Sequence, residues 1–152
     1  MTLLDATEYN DTRARRRKII IASVVVIALI ISGLVWAFRF WFEERIASNF
    51  FDALQNKNYE TAYGVWLHDP QWKHHPEKYS QYPFNEFYRD WGPSGEWGLI
   101  KSFKVYGASG CPGGGSGIVV DVIVNDRVKH AQVWVEKKDR TMSTPPCELL
   151  FR

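Results

Sequence analysis

The chain has little excess charge and very few cysteines. Its 152 residues hold 19 Lys and Arg against 17 Asp and Glu, a formal net charge of +2. That excess is too small to hold a protein on nucleic acid through bulk charge, so no nucleic-acid partner is expected. Two cysteines are too few for a disulfide-dense miniprotein and form no C-x-x-C metal spacing. The hydrophobic content of 45% excludes a mostly disordered chain.

Charge is entirely missing from residues 19–38, which read IIIASVVVIALIISGLVWAF, and Ser23 and Ser32 are the only polar side chains there. A helix of this length spans about 30 Å, the thickness of the hydrocarbon layer of a bilayer. Ile and Val favour strands in water, but a lone strand in lipid leaves its backbone groups unpaired. The segment therefore predicts a transmembrane helix.

The flanks of this segment predict its orientation. Residues 1–18 carry five basic side chains, whereas Arg39 and Arg45 are the only ones that closely follow. The positive-inside rule then gives a cytoplasmic basic tail (1–18), a membrane span (19–38) and an extracytoplasmic domain (39–152). We expect the bacterial inner membrane, with the domain periplasmic or extracellular.

A cleaved signal peptide is the alternative interpretation, because Val35-Trp36-Ala37 resembles a cleavage site. Its apolar core would exceed the roughly 7–15 residues of a signal peptide, which favours a retained anchor. Outside the cytoplasm the compartment is oxidising, so Cys111 and Cys147 are predicted to form a disulfide. Two free thiols are the alternative.

After the membrane span, the spacing of apolar residues changes from a helical period to the alternation of a strand near residue 100. One helix is predicted over residues 39–54 from apolar side chains that recur at i+4. Two more are predicted over 59–68 and 83–91 from apolar side chains at i, i+3, i+4 and i+7. Alternating apolar residues then predict strands at 101–106, 118–124 and 128–137, with a short closing strand at 141–143 or 147–151. The predicted fold is α+β: two to three helices packed on a curved antiparallel sheet of three to four strands, behind the membrane helix. With no Pro or Gly between residues 34 and 54, the membrane helix is expected to enter the domain without a flexible linker.

Residues 46–66, IASNFFDALQNKNYETAYGVW, carry a family resemblance. Together with the strands that follow, they resemble the nuclear transport factor two-like (cystatin-like α+β) superfamily over about residues 40–143. The resemblance implies a cone with an apolar cavity. The superfamily includes ketosteroid isomerase, scytalone dehydratase and non-catalytic modules, among them the inner-membrane scaffold component of type IV secretion machines. That component also has a short cytoplasmic tail, one membrane helix and an external domain, but no motif specific to it is present here.

A ligand site is predicted on one face of the strand at 128–137. His130, Gln132 and Trp134 share that face, and they would place polar groups in an apolar cavity if it lined the cone. Tyr63 or Tyr88 would supply a hydroxyl group opposite. An isomerase of this fold would also need a cavity carboxylate beside a tyrosine. No residue pair fixes such an arrangement, so no catalytic residue is assigned.

Two further sequence patterns resemble ligand sites but do not predict one. Potential zinc or copper ligands crowd together at His68, Asp69, His74, His75 and Glu77, but their spacing matches no closed site, so a solvated loop and no metal are expected. Residues 113–117 are glycine-rich but lack the Lys-Ser/Thr of a phosphate-binding loop. No cofactor is therefore expected.

These patterns favour a non-enzymatic accessory or assembly subunit of a larger membrane protein complex, held in the lipid bilayer. The first alternative is an extracytoplasmic module that binds a small apolar ligand. The second is an enzyme resembling ketosteroid isomerase or a dehydratase.

Overall fold

The computed structural model describes residues 11–149 and divides the chain after Arg39 into two compact units. From residue 11 onward, the first unit consists of helix α1 (Asp11–Ala37) and the start of the turn that follows it. Its apolar side chains are exposed on every side, and Leu29 is 68% exposed. By length and composition this helix is able to cross a membrane, as predicted for 19–38.

The second unit begins with three helices where the apolar periods predict them. They are α2 (Trp41–Gln55), α3 (Tyr59–Trp66) and α4 (Phe84–Trp91). The side chain of Asn58 caps α3 by accepting a hydrogen bond from the backbone N–H of Thr61 at 3.2 Å. Helix α4 ends at Gly92, where a Cβ atom would lie 2.2 Å from the carbonyl oxygen of Tyr88. Two short 3-10 turns, Trp72–His74 and Pro76–Tyr79, lie between α3 and α4.

The connection between α1 and α2 is a turn over residues 38–40, so the predicted helix is interrupted there. Phe40 leaves the helical conformation at φ −115° and ψ 10°. Its ring packs against the core of the second unit. A sequence without Pro or Gly in this stretch does not predict the turn. The connection is nevertheless only three residues long.

Four antiparallel strands form an open sheet in the order β1-β2-β3-β4. Their bounds are β1 (Phe103–Ser109), β2 (Gly117–Val124), β3 (Ala131–Glu136) and β4 (Met142–Ser143). Asn125 and Asp126 turn the chain between β2 and β3 with positive φ angles of 52° and 55°, as expected for a tight hairpin turn.

The strand predicted at 128–137 is shorter than expected, because it starts only at Ala131. Val128 is fully exposed. The side chains on either side of it bind Glu96: Arg127 donates to its carbonyl oxygen at 2.9 Å, and Lys129 pairs with its carboxylate. These contacts hold the segment on the loop after α4 and away from the sheet.

The helices lie on one face of the sheet, where α2 packs against β1, β2 and β3, α3 contacts β4, and α4 packs on α3. Apolar side chains from β2 and β3 point to them, including Val120, Val122 and Val133. The space between the layers is filled by aromatic rings, with Phe50 at 4.9–6.1 Å from the rings of Trp66, Phe87 and Trp91. The chain is therefore α+β with an open four-stranded antiparallel sheet, and the cone-shaped cavity stays a prediction.

Candidate functional site

A polar network lies on the sheet face that the helices do not cover. Asp121 is opposite Gln132 in the β2–β3 register and is 1% exposed. Its Oδ2 lies 2.5 Å from Nδ1 of His130, and its Oδ1 accepts a hydrogen bond from Nε2 of Gln132 at 2.9 Å. A buried carboxylate needs such partners because its charge has lost its water. Two of the predicted ligand residues, His130 and Gln132, are thus used to satisfy Asp121.

The C-terminal segment is held on the same face by Gln132. Its side-chain amide accepts a hydrogen bond from the backbone N–H of Leu149 at 3.0 Å and donates to the carbonyl oxygen of Leu149 at 2.6 Å. The amide group therefore pairs with Leu149 as a neighbouring strand would. Cys111 and Cys147 form a disulfide with a Cα–Cα distance of 5.9 Å, which confirms the predicted pairing. Together the bridge and the amide fix the segment at two points.

The Asp121–His130 pair resembles the arrangement that holds an imidazole ring for proton transfer. The ring of His130 lies 5.2 Å from that of Tyr106. However, a groove of about 1060 Å³ in the second unit lies elsewhere and includes neither residue of the pair. The hydrogen bonds of Asp121 therefore favour a structural role for this pair over a role in proton transfer.

The other predicted ligand residues lie apart from this network. Tyr63 is buried among the helices and donates its hydroxyl hydrogen to the carbonyl oxygen of Tyr82 at 2.6 Å, and burial raises its pKa. Tyr88 packs edge-on against Tyr59 at 4.9 Å. Trp134 lies further along the outer face, over Gly115 and Gly117.

The five predicted residues therefore do not form one site. Ala131, Val133 and Val135 are the residues of β3 that face the helices. Since side chains alternate along a strand, His130, Gln132 and Trp134 face away from both tyrosines. The physical reason is the greater apolar content of the Ala131–Val135 face, which the helices cover.

The cluster at 68–79 is an ordered loop held together by Asp69. Its carboxylate accepts hydrogen bonds from the Tyr79 hydroxyl at 2.5 Å and the backbone N–H of Gln71 at 2.9 Å, and its Oδ2 lies 2.6 Å from Nε2 of His75. These contacts, led by that of Tyr79, lower the pKa of Asp69 to about 2. Within residues 11–149, no group of three potential ligands could hold a metal ion.

A groove of about 1060 Å³ lies within the second unit, between the first turns of α2, helix α3, the loop after it and Arg140. Trp41 and Phe42 are 43% and 59% exposed there. The guanidinium group of Arg45 lies 5.3 Å from the ring centre of Trp41, and that of Arg140 lies 5.7 Å from that of Phe42. These contacts are typical cation–π geometry.

The groove is positively charged. Lys73 pairs with Glu60 on its wall. Neither Arg45 nor Arg140 has a carboxylate partner within the described part of the chain. A smaller adjoining cavity of about 170 Å³ is lined by Glu43, whose buried Oε2 accepts no hydrogen bond from the described residues.

Sequence reasoning missed this groove. The sequence places Trp41 and Phe42 in the predicted helix over 39–54, and nothing in their spacing predicts a groove. Arg140 follows Trp41 by about a hundred positions and reaches the groove through the β3–β4 turn, where its φ is 61°. The one local signal is the i, i+4 spacing of Trp41 and Arg45 on α2.

No family model, curated protein or solved structure matches this chain. The resemblance to the nuclear transport factor two-like superfamily therefore stays a prediction.

Proposed function

We propose that this protein is a single-pass, membrane-anchored accessory or assembly subunit of a larger membrane complex. The observation that carries the proposal is α1, whose apolar surface is exposed on all sides. Each large apolar side chain left in water forgoes roughly 1.5–3 kcal/mol. A helix of this kind needs lipid or the helices of a partner around it.

The second unit supports a role in binding rather than in chemistry. Its interior is filled by the rings around Phe50. The buried carboxylate of Asp121 is already occupied by His130 and Gln132. Neither feature leaves room for a substrate beside an acid or a base.

The proposed location is the bacterial inner membrane, with the N-terminus in the cytoplasm and the second unit outside. The five basic residues at the start of α1, which precede its apolar run, support this orientation through the positive-inside rule. The disulfide between Cys111 and Cys147 also supports it, because structural disulfides persist in oxidising compartments.

Purification of the full-length chain from native membranes in mild detergent, after cross-linking in the cells, tests this proposal. We expect discrete species larger than the monomer that contain a reproducible set of membrane proteins. The matched control replaces the apolar part of α1 with polyleucine of equal length, which keeps the anchor and removes its specific surface. Recovery of the monomer alone would contradict the role as a subunit.

A further inference from the structure

The groove begins very close in the chain to the end of the proposed membrane span. Helix α1 ends at Ala37, and α2 starts at Trp41. Four residue steps of about 3.6 Å allow at most about 14 Å between these two positions, whatever the orientation of the units. If α1 crosses the bilayer, Trp41 and Phe42 are therefore within reach of the lipid headgroups.

The chemistry of the groove suits that location. Exposed Trp and Phe side chains are favoured at the boundary between headgroups and acyl chains. Arginine binds phosphate through a planar set of donors, and two arginines from separate elements line this groove without carboxylate partners within the described residues. The orphaned Oε2 of Glu43 next to them is an acceptor for a hydroxyl group of a ligand.

We propose that this groove binds the headgroup of an anionic phospholipid, with the phosphate on Arg45 and Arg140 and the lipid surface against Trp41 and Phe42. The inference rests on the membrane anchor of the proposed function. It goes further by assigning a lipid-binding site to the second unit. An acidic peptide would satisfy the arginines as well, but the short tether to α1 favours lipid.

Full-length protein in lipid nanodiscs tests the site. Discs of phosphatidylcholine alone are compared with discs that contain increasing fractions of phosphatidylglycerol, which carries both a phosphate and free hydroxyl groups. Hydrogen exchange of the amides in residues 41–49 and 60–73 is the readout. We expect their exchange to slow as the phosphatidylglycerol fraction rises.

The variant Arg45→Gln/Arg140→Gln should need at least about tenfold more phosphatidylglycerol for the same protection, since each basic residue near an anionic surface contributes about 1 kcal/mol. The control is Lys57→Gln/Lys104→Gln, which removes the same charge from positions outside the groove. The control should behave like the wild type. An equal loss in both variants would show bulk attraction and overturn the site.

Three other outcomes overturn the inference and are distinguishable. Chain that does not enter the discs contradicts the anchor and the groove together. Chain that enters both kinds of disc with the same exchange contradicts the groove alone. Equal protection by excess inorganic phosphate in phosphatidylcholine discs would show a site for free phosphate instead of lipid. A monomer in the cross-linking experiment contradicts only the subunit role.

Discussion

Helices α1 and α2 are neighbours in the chain and both carry many large apolar side chains, but they place them in opposite environments. Leu29 in α1 is mostly exposed, whereas Phe50 in α2 is completely buried. In α2 the apolar residues alternate with charged ones at helical spacing, so one face packs on the sheet. In α1 the residues from 19 to 37 are apolar all round, so no single face can bury them. Both the amount and the pattern of hydrophobicity therefore distinguish α2, which packs in a core, from α1, which is able to cross a membrane.

The largest effect should come from removing a core ring. Phe50→Ala is expected to lower the free energy of unfolding of the second unit by about 3–5 kcal/mol, because it leaves a cavity among the aromatic rings. Leu29→Ala in α1 should leave that free energy unchanged. Denaturant titration of both full-length variants in detergent measures the difference. Equal destabilisation would contradict the separate roles of the two helices.

Removing the disulfide should lower the stability of the second unit and leave membrane retention unchanged. Cys111→Ser/Cys147→Ser is expected to cost up to about 4 kcal/mol of its stability, since the bridge closes a loop across 36 positions. Wild-type protein treated with a reductant is the matched comparison and should lose the same amount. Membrane retention through α1 should not change. A variant as stable as the oxidised wild type would contradict the structural role of the bridge.

A charge in the middle of α1 should weaken membrane insertion and leave the stability of the second unit unchanged. Ile27→Arg is expected to disfavour insertion by about 2.5–3.5 kcal/mol. The fraction of protein that resists alkaline extraction from membranes should fall, while the unfolding of the second unit stays as in the wild type. Gln81→Arg, at an exposed position outside the groove, is the control. Unchanged extraction of Ile27→Arg would argue against a membrane span.

The smallest effect concerns the loop held by Asp69. Its pKa is lowered from 3.8 to about 2, so its contribution to stability is present above pH 3.8 and is lost as pH falls through about 2. Asp69→Asn should therefore be less stable than the wild type at neutral pH, and this difference should shrink between pH 3.8 and 2. Thermal unfolding across that range measures it. A difference that stays constant with pH would show that the charge of Asp69 plays no part.

The predictions from sequence were most accurate where local periodicity determines structure. Apolar spacing located α3 and α4. The features that the sequence did not predict depend on contacts between residues that are far apart in the chain. Glu96 draws the residues around Val128 away from β3, and Arg140 completes a groove that starts at Trp41.

The candidate site was only partly predictable for the same reason. The alternation of β3 correctly grouped His130 with Gln132 on one face. It did not show that helices cover the opposite face, which depends on the packing of Ala131, Val133 and Val135 in one core with Phe50 and its neighbours. The pairing of both side chains with Asp121 depends on the strand register, which the sequence pattern alone leaves open.

Protease treatment of intact spheroplasts of a bacterial host that expresses the full-length chain tests the central claim most directly. Added proteinase K should digest the second unit without lysis, while a tag placed before residue 11 stays protected. A second unit that is degraded only after the cells are lysed, with α1 still in the membrane fraction, would contradict the proposed orientation and the oxidising compartment of the disulfide.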